Sequence, residues 1–306
     1  MKRLWAAWVA LWDRRESPTA LVLVRMFVGL ALLVDLLHIT SLGMVHAMFT
    51  AAPEGYALPA GGFGAEILEA GLGPALWLVS VTAAACVVCG LLTRVACLTL
   101  SLALAQLAFI APDADRGIHM ALRIVLVILA LSGCHASWSI DAWLRRKLGR
   151  PLPATVPAWP RYLLLLQLVW IYFSAAMNKS GAEWGPGGGF MALANALADP
   201  HFGRFDPSWI TAVLPLTQLA TIATIVFEWS APLYLVWLYC AETADRPGRL
   251  RTWINRLRLR WIWIATGVVF HLGLVIALPI GIFPWGMLAL YPVLLRPSEL
   301  PRDESP

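Results

Sequence analysis

The chain has 306 residues, of which 59% are hydrophobic and 13% charged, and its mean hydropathy is +0.71. Soluble domains carry roughly a quarter of their residues as charges, so this composition excludes a soluble globular domain and points to an integral membrane protein. The net charge of +5 is dispersed over short stretches between apolar segments rather than gathered on one face, which reads as membrane topology and not as nucleic-acid binding.

The N-terminal MKRLWAAWVALWDRRE has the basic start and short apolar core of a signal peptide but no small residues for cleavage, so it is expected to stay in the protein. With Trp5, Trp8 and Trp12 at helical spacing beside Arg14 and Arg15, residues 1–16 predict an amphipathic helix in the cytoplasmic interface. Apolar segments of spanning or near-spanning length follow at 19–40, 74–93, 95–112, 119–134, 161–179, 212–240, 259–279 and 281–295. Basic residues fall in alternate loops: Arg14 and Arg15, then Arg94, then Arg145 to Arg161, then six arginines from Arg246 to Arg260. The opposite loops hold only Arg116 and Arg204, which predicts both termini in the cytoplasm. On the other side, the loop 180–211 contains GPGGG and DPHFGRFDPSW, the signature of a compact cap. The expected architecture is therefore all-α: a polytopic membrane bundle of about eight helices with an outer-side capping loop. It forms one domain over 1–297, followed by a short cytoplasmic tail, 298–306.

Ionisable residues inside spans are costly, so each is a candidate for function with a structural alternative beside it. Arg25 in the first span and Glu228 in the sixth lie at similar predicted depth and are expected to pair, holding the helices together. Toward the outer side lie Asp35, His38, His119, Arg123, Lys179 and His271, the last open to reading as a hydrogen-bonded packing residue or as part of a site. Lys179 ends the apolar run of YFSAAMNKSGAEW, which leaves two readings, a lysine snorkelling to head groups or a base in a pocket. The five cysteines, Cys86, Cys89, Cys97, Cys134 and Cys240, lack a disulfide-scaffold spacing. No His, Cys or carboxylate set has metal-ligand spacing, and neither a phosphate loop nor a dinucleotide fingerprint is present, so no metal and no nucleotide is expected.

The residues Tyr172-Phe173, Ala175-Ala176, Lys179 and Glu183-Trp184 resemble the segment of vitamin K-dependent gamma-carboxylases that carries their catalytic lysine. The resemblance continues through Arg25 and Gly29, Gly90-x-x-x-Arg94, Trp138-Ser139-x-Asp141, Glu228-x-Ser230-Ala231, His271 and IGIFPW at 280–285. On these motifs the chain is similar to the related bacterial HTTM (horizontally transferred transmembrane) proteins, which implies a bacterial cytoplasmic membrane. The resemblance implies Lys179 as a base toward a reduced, vitamin K-type quinone, with His271, His119 and His135 as further catalytic candidates. Tyr172, Trp184, Asp35 and Arg123 would line the quinone pocket. A base must be neutral, and a desolvated site beside Arg123 would favour that form of the lysine. The sequence departs from the animal enzymes at Asn178 and Ser180-Gly181, and it ends soon after the last span, where those enzymes continue into a large lumenal region. The implied substrate is therefore a small molecule or peptide within a membrane of lipids, and the alternative is a non-enzymatic, lipid-binding scaffold or partner subunit.

Overall fold

The computed structural model describes residues 5–6, 9–10, 12–51, 55–59 and 62–301. The chain is 72% helical. It divides into two compact units, 1–164 with 289–306, and 165–288.

In the first unit, the expected interfacial helix of 1–16 is described only in part, since Trp8 and most of its basic start lie outside the described residues. It stops before Arg15: Arg15–Glu16 form a strand, β1, paired antiparallel with β2, Val156–Pro157. The cause is an ion pair that a helix ending in solvent would not make. The guanidinium of Arg161, with no exposed side-chain surface, donates Nε to Glu16 Oε1 at 2.7 Å and Nη2 to Oε2 at 2.9 Å. Its Nη1 reaches the Val293 carbonyl at 3.3 Å, tying the C-terminal segment to the same point.

The helices of this unit are α1 (Thr19–Ser41), α2 (Val45–Phe49), α3 (Phe63–Glu69), α4 (Gly73–Cys89), α5 (Thr93–Ile110), α6 (Gly117–Leu131) and α7 (Ile140–Lys147). Helix α1 packs on α4, α4 on α5 and α5 on α6. Helix α4 ends at Gly90, whose φ of +68° lets its N–H bond the Val87 carbonyl and that of Leu91 reach Cys86, a Schellman closure. A side chain at Gly90 would collide with the Arg25 guanidinium and with Ser139, so the position also needs glycine for space.

The expected pairing of Arg25 with Glu228 is replaced by bonds inside each unit. Arg25 has no exposed surface and donates to the carbonyls of Val87 at 3.0 Å, Val88 at 3.2 Å and Trp138 at 2.7 Å. Val87 and Val88 lie in the last turn of α4, where carbonyls lack the regular i+4 donors and carry partial negative charge, so one cation supplements the Gly90 closure at this helix end. Asp141 does the converse at the start of α5, accepting from the N–H of Leu92 and of Thr93, each at 2.8 Å, and from the Thr93 hydroxyl at 2.7 Å.

The second unit continues α8 (Trp159–Asn178) and holds α9 (Ala192–Ala198), α10 (Leu214–Trp229), α11 (Ala231–Glu242), α12 (Arg249–Arg256), α13 (Leu259–Ala277) and α14 (Phe283–Leu288). The cap 180–211 is compact: Ala194, Leu197 and Ile210 form a small core with Leu214 and Leu278. The Gln218 amide fastens it by donating to the Gly189 carbonyl at 2.8 Å. Within GPGGG, Gly188 lies against the Ala182 backbone where a Cβ would be about 2.5 Å away, so the turn closes only with glycine.

Among the described residues five helices are long and apolar enough to cross a membrane, or six if α3 and α4, bent by 106°, count as one span. The three other expected segments are shorter, the first of them α4 with 17 residues. Helix α6 has 15 residues, or about 22 Å of rise. The 212–240 segment supplies one of the five spans, ending at Trp229, and is interrupted at Ser230, since Pro232 cannot donate to the Glu228 carbonyl. The last segment is a six-residue helix followed by a 3-10 turn.

Burial alone would raise the Asp141 carboxyl, but the bonds from Thr93 and Leu92 outweigh it and hold its pKa below the ordinary value. Its stabilising contribution is thus full above the unfolded aspartate range, about 3.9, and is lost as pH falls through the lower folded value. Asp141→Asn should lower the melting temperature at pH 7 by an amount matching about 1 kcal/mol and should flatten the acid limb of melting temperature against pH below about 4. An unchanged acid limb would refute the capping role.

Candidate functional site

Lys179 follows the last residue of α8; its N–H closes the helix on the Ala176 carbonyl at 3.2 Å, and its Nζ lies 3.5 Å from the Ala175 carbonyl. Its main partner is Glu228, near the end of α10: Nζ is 2.8 Å from Oε1 and 2.7 Å from Oε2. The carboxylate side chain is 4% exposed and the lysine 19%, so the pair is largely withdrawn from water. Trp184, in the turn after α8, places its ring 5.1 Å from Nζ, which adds a cation–π contact. The Lys179 ammonium thus has three neighbours, the Glu228 carboxylate, the Trp184 ring and the Ala175 carbonyl.

About two turns back on the same face of α8, the buried Tyr172 hydroxyl lies 2.6 Å from His271 Nε2 on α13. An aromatic wall surrounds this pair. Tyr172 meets Phe227 edge-on at 4.9 Å and Trp263 at 5.4 Å, Phe227 and Trp263 stack at 4.7 Å, and Phe283 closes on His271 at 5.8 Å. Phe227 precedes Glu228, so the phenol–imidazole pair and the ammonium–carboxylate pair are neighbours along α8 and α10. The break at Ser230 leaves the Phe227 carbonyl free of the helix ladder, and it accepts from Ser230 Oγ at 2.8 Å and Trp263 Nε1 at 3.1 Å.

The remaining candidates lie in the first unit. His119 Nδ1 accepts the Arg116 N–H at 3.2 Å, which assigns the ring proton to Nε2, 3.3 Å from Asp35 Oδ2. Arg123 is held by both oxygens of Asp115, at 2.6 and 2.8 Å. Asp35, Asp115, His119 and Arg123 line a cavity of about 60 Å³ walled by Trp77 and Phe49, a volume on the scale of water molecules. His38 is exposed. The charge of Arg123 is thus met by Asp115, and Lys179 answers to a carboxylate instead of the expected arginine. His119 and His135 do not line the same cavity: one lies in the first turn of the 15-residue α6 and the other four residues past its end, with about 18 Å of helix from His119 to Leu131. His135 lines a different cavity, with Arg15 and Arg94.

Sequence reasoning singles out both Lys179 and Glu228 but not their pairing, and it misses Asp115, Glu16 and the aromatic wall. The signal for Asp115 is its position eight residues before Arg123, in the short charged loop that precedes α6; Glu16 and Phe227 carry no such local mark. Among the described residues no group of three or more His, Cys, Asp or Glu could hold a metal ion.

Helices of spanning length, capped by a folded loop and enclosing charge pairs and an aromatic-walled phenol–imidazole pair, define a polytopic integral membrane protein with a polar site inside its second unit. The model of the HTTM domain matches residues 13–244, about three quarters of the sequence, and the chain belongs to that family. No curated protein and no solved structure matches it.

Removing either member of the Lys179–Glu228 pair leaves the other charge buried and unmet. Lys179→Met and Glu228→Leu should each destabilise by about 3 kcal/mol, the low end of such losses because the lysine keeps some exposure, while the double variant should recover most of it. Thermal melting of the four proteins in one detergent measures the coupling, and strictly additive losses would show that the pair does not form.

Proposed function

We propose that the chain is a membrane-embedded, vitamin K-dependent carboxylase-like enzyme in which Lys179 serves as general base toward a reduced quinone. The observation that carries this reading is the Lys179–Glu228 pair at 2.7–2.8 Å, withdrawn from water beside Trp184. A salt bridge of this kind holds one proton between two sites, amine–acid or ammonium–carboxylate, and so can present a neutral amine without a net change of charge in the bundle.

The donor set fits a quinone: an apolar aromatic wall for a flat ring, and Tyr172, His271 and Lys179 as polar groups for its oxygens. Tyr172 and Trp184 would hold the ring, and when bound a reduced quinone would supply two electrons for dioxygen and an acidic hydroxyl. Lys179 Nζ, as the amine with its former proton on Glu228, would be the acceptor for that hydroxyl's proton. His271 keeps the Tyr172 hydroxyl oriented, since its Nε2 and that oxygen are already in hydrogen-bond contact. The arginine bias of alternate loops supports a bacterial cytoplasmic membrane with both termini cytoplasmic, and the enclosed, aromatic-walled setting of the pair supports a small-molecule or peptide substrate.

A second reading has its own support in the same contact. A lysine whose charge is fully met can act as a helix staple in a lipid-binding scaffold. Oxidation of a short-chain naphthohydroquinone by the purified protein under air separates the two. Lys179→Met should cut turnover at least about 100-fold, and the Lys179→Met/Glu228→Leu protein, with stability restored, should remain as inactive. Undiminished turnover in that double variant would refute the general-base role, and a wild-type protein that neither oxidises the probe nor copurifies with quinone by mass spectrometry would favour the staple.

A further inference from the structure

Two adjoining cavities open at the arginine-rich end of the first unit. The larger, about 580 Å³, is lined by Ser17, Ser137, Arg146, Thr155 and Ser298 over a floor of prolines. The smaller, about 210 Å³, shares Ala136, Leu152, Pro153 and Thr155 with it and adds Arg15, Arg94 and His135. Neither has an acidic residue in its lining. Arg15 is fixed there by Thr155, with Nε 3.2 Å from Oγ1 and Nη2 2.6 Å from the carbonyl oxygen. Arg94 and Arg146 have no carboxylate partner among the described residues. Arg15, Arg94 and Arg146 are exposed at the rim of this space, so each guanidinium is open both to solvent and to the cavities, and no carboxylate lines either cavity to neutralise them.

We infer that this double cavity binds a phosphate-bearing anion, supplied in the membrane by the headgroup of an anionic phospholipid. Like charges that converge without a counter-ion repel one another, and a bound anion removes that cost. Guanidinium forks match phosphate oxygens in pairs, and the serine and threonine hydroxyls supply further donors. The combined volume lies in the range of small-ligand sites. Basic pockets at the cationic end of membrane helices suit phospholipid headgroups, whose fatty chains remain in the bilayer. None of this depends on the role of Lys179.

The test uses the full chain in neutral detergent, titrated with short-chain phosphatidylglycerol while the melting temperature is read, with inorganic phosphate as a second arm. A saturable rise is expected with the lipid, weakened about 10- to 30-fold in Arg94→Gln/Arg146→Gln and unchanged in Arg256→Gln, an exposed arginine on α12. Ser298→Glu, on the exposed rim, keeps every arginine and should weaken the response as well, which covers the case of a double variant that fails to fold. A rise with lipid alone assigns the headgroup, and an equal rise with inorganic phosphate assigns the free anion. No rise in either arm, or one retained in full by both cavity variants, overturns the inference.

Discussion

Withdrawing an ion from water into an apolar bundle costs several kcal/mol, and the folded chain is organised by how each such ion is met. Arg25 illustrates the constraint. Its guanidinium is completely buried, so it must be surrounded by acceptors, and it finds them in the carbonyls of the last turn of α4 and in that of Trp138. That need places α1 against the α4–α5 hairpin and fixes the approach of Trp138. Gly90 then has to be a glycine, and Asp141 falls beside the first N–H groups of α5. Gly90, Trp138, Ser139 and Asp141, which look like scattered motif residues in the sequence, belong to one junction in which a cation closes one helix and an anion opens the next.

The same rule governs the second unit with a different outcome. Glu228 lies near the C-terminal end of α10, where its negative charge opposes the helix dipole, and Lys179 stands just past the C-terminal end of α8, where a cation is favoured. Pairing them resolves both positions at once. The break at Ser230, caused by Pro232, ends α10 immediately after Glu228 and releases the carbonyl that Trp263 and Ser230 share. Packing around the site therefore follows from one proline and one ion pair. The aromatic wall fills the space between them and keeps water away from the Tyr172–His271 contact.

Membership of the HTTM family rests on a match across most of the chain, whereas chemistry rests on a few side chains. These two levels separate cleanly here. The Arg25, Gly90 and Asp141 positions explain why the first unit folds as it does, and they differ from Lys179 in kind: they satisfy backbone groups, while Lys179 satisfies another titratable side chain.

The sequence by itself determined the class of the protein, because composition and the length of apolar runs report directly on lipid as the solvent. It also singled out the charged residues inside those runs, since each is too costly to be incidental. Folding decided the partners. Arg25 and Glu228 sit at comparable depth along their segments, yet depth does not state which face of a helix points where, and the carbonyls that receive Arg25 are not visible as letters at all. Likewise a run of 15 apolar residues and one of 20 look alike in a hydropathy reading, while α6 ends where its carbonyls find Ser132 and the turn beyond. Pairwise contact, helix ends and the rotation of each helix are properties of three dimensions, and on them rest the Lys179–Glu228 pair, the Arg123–Asp115 pair and the separation of His119 from His135.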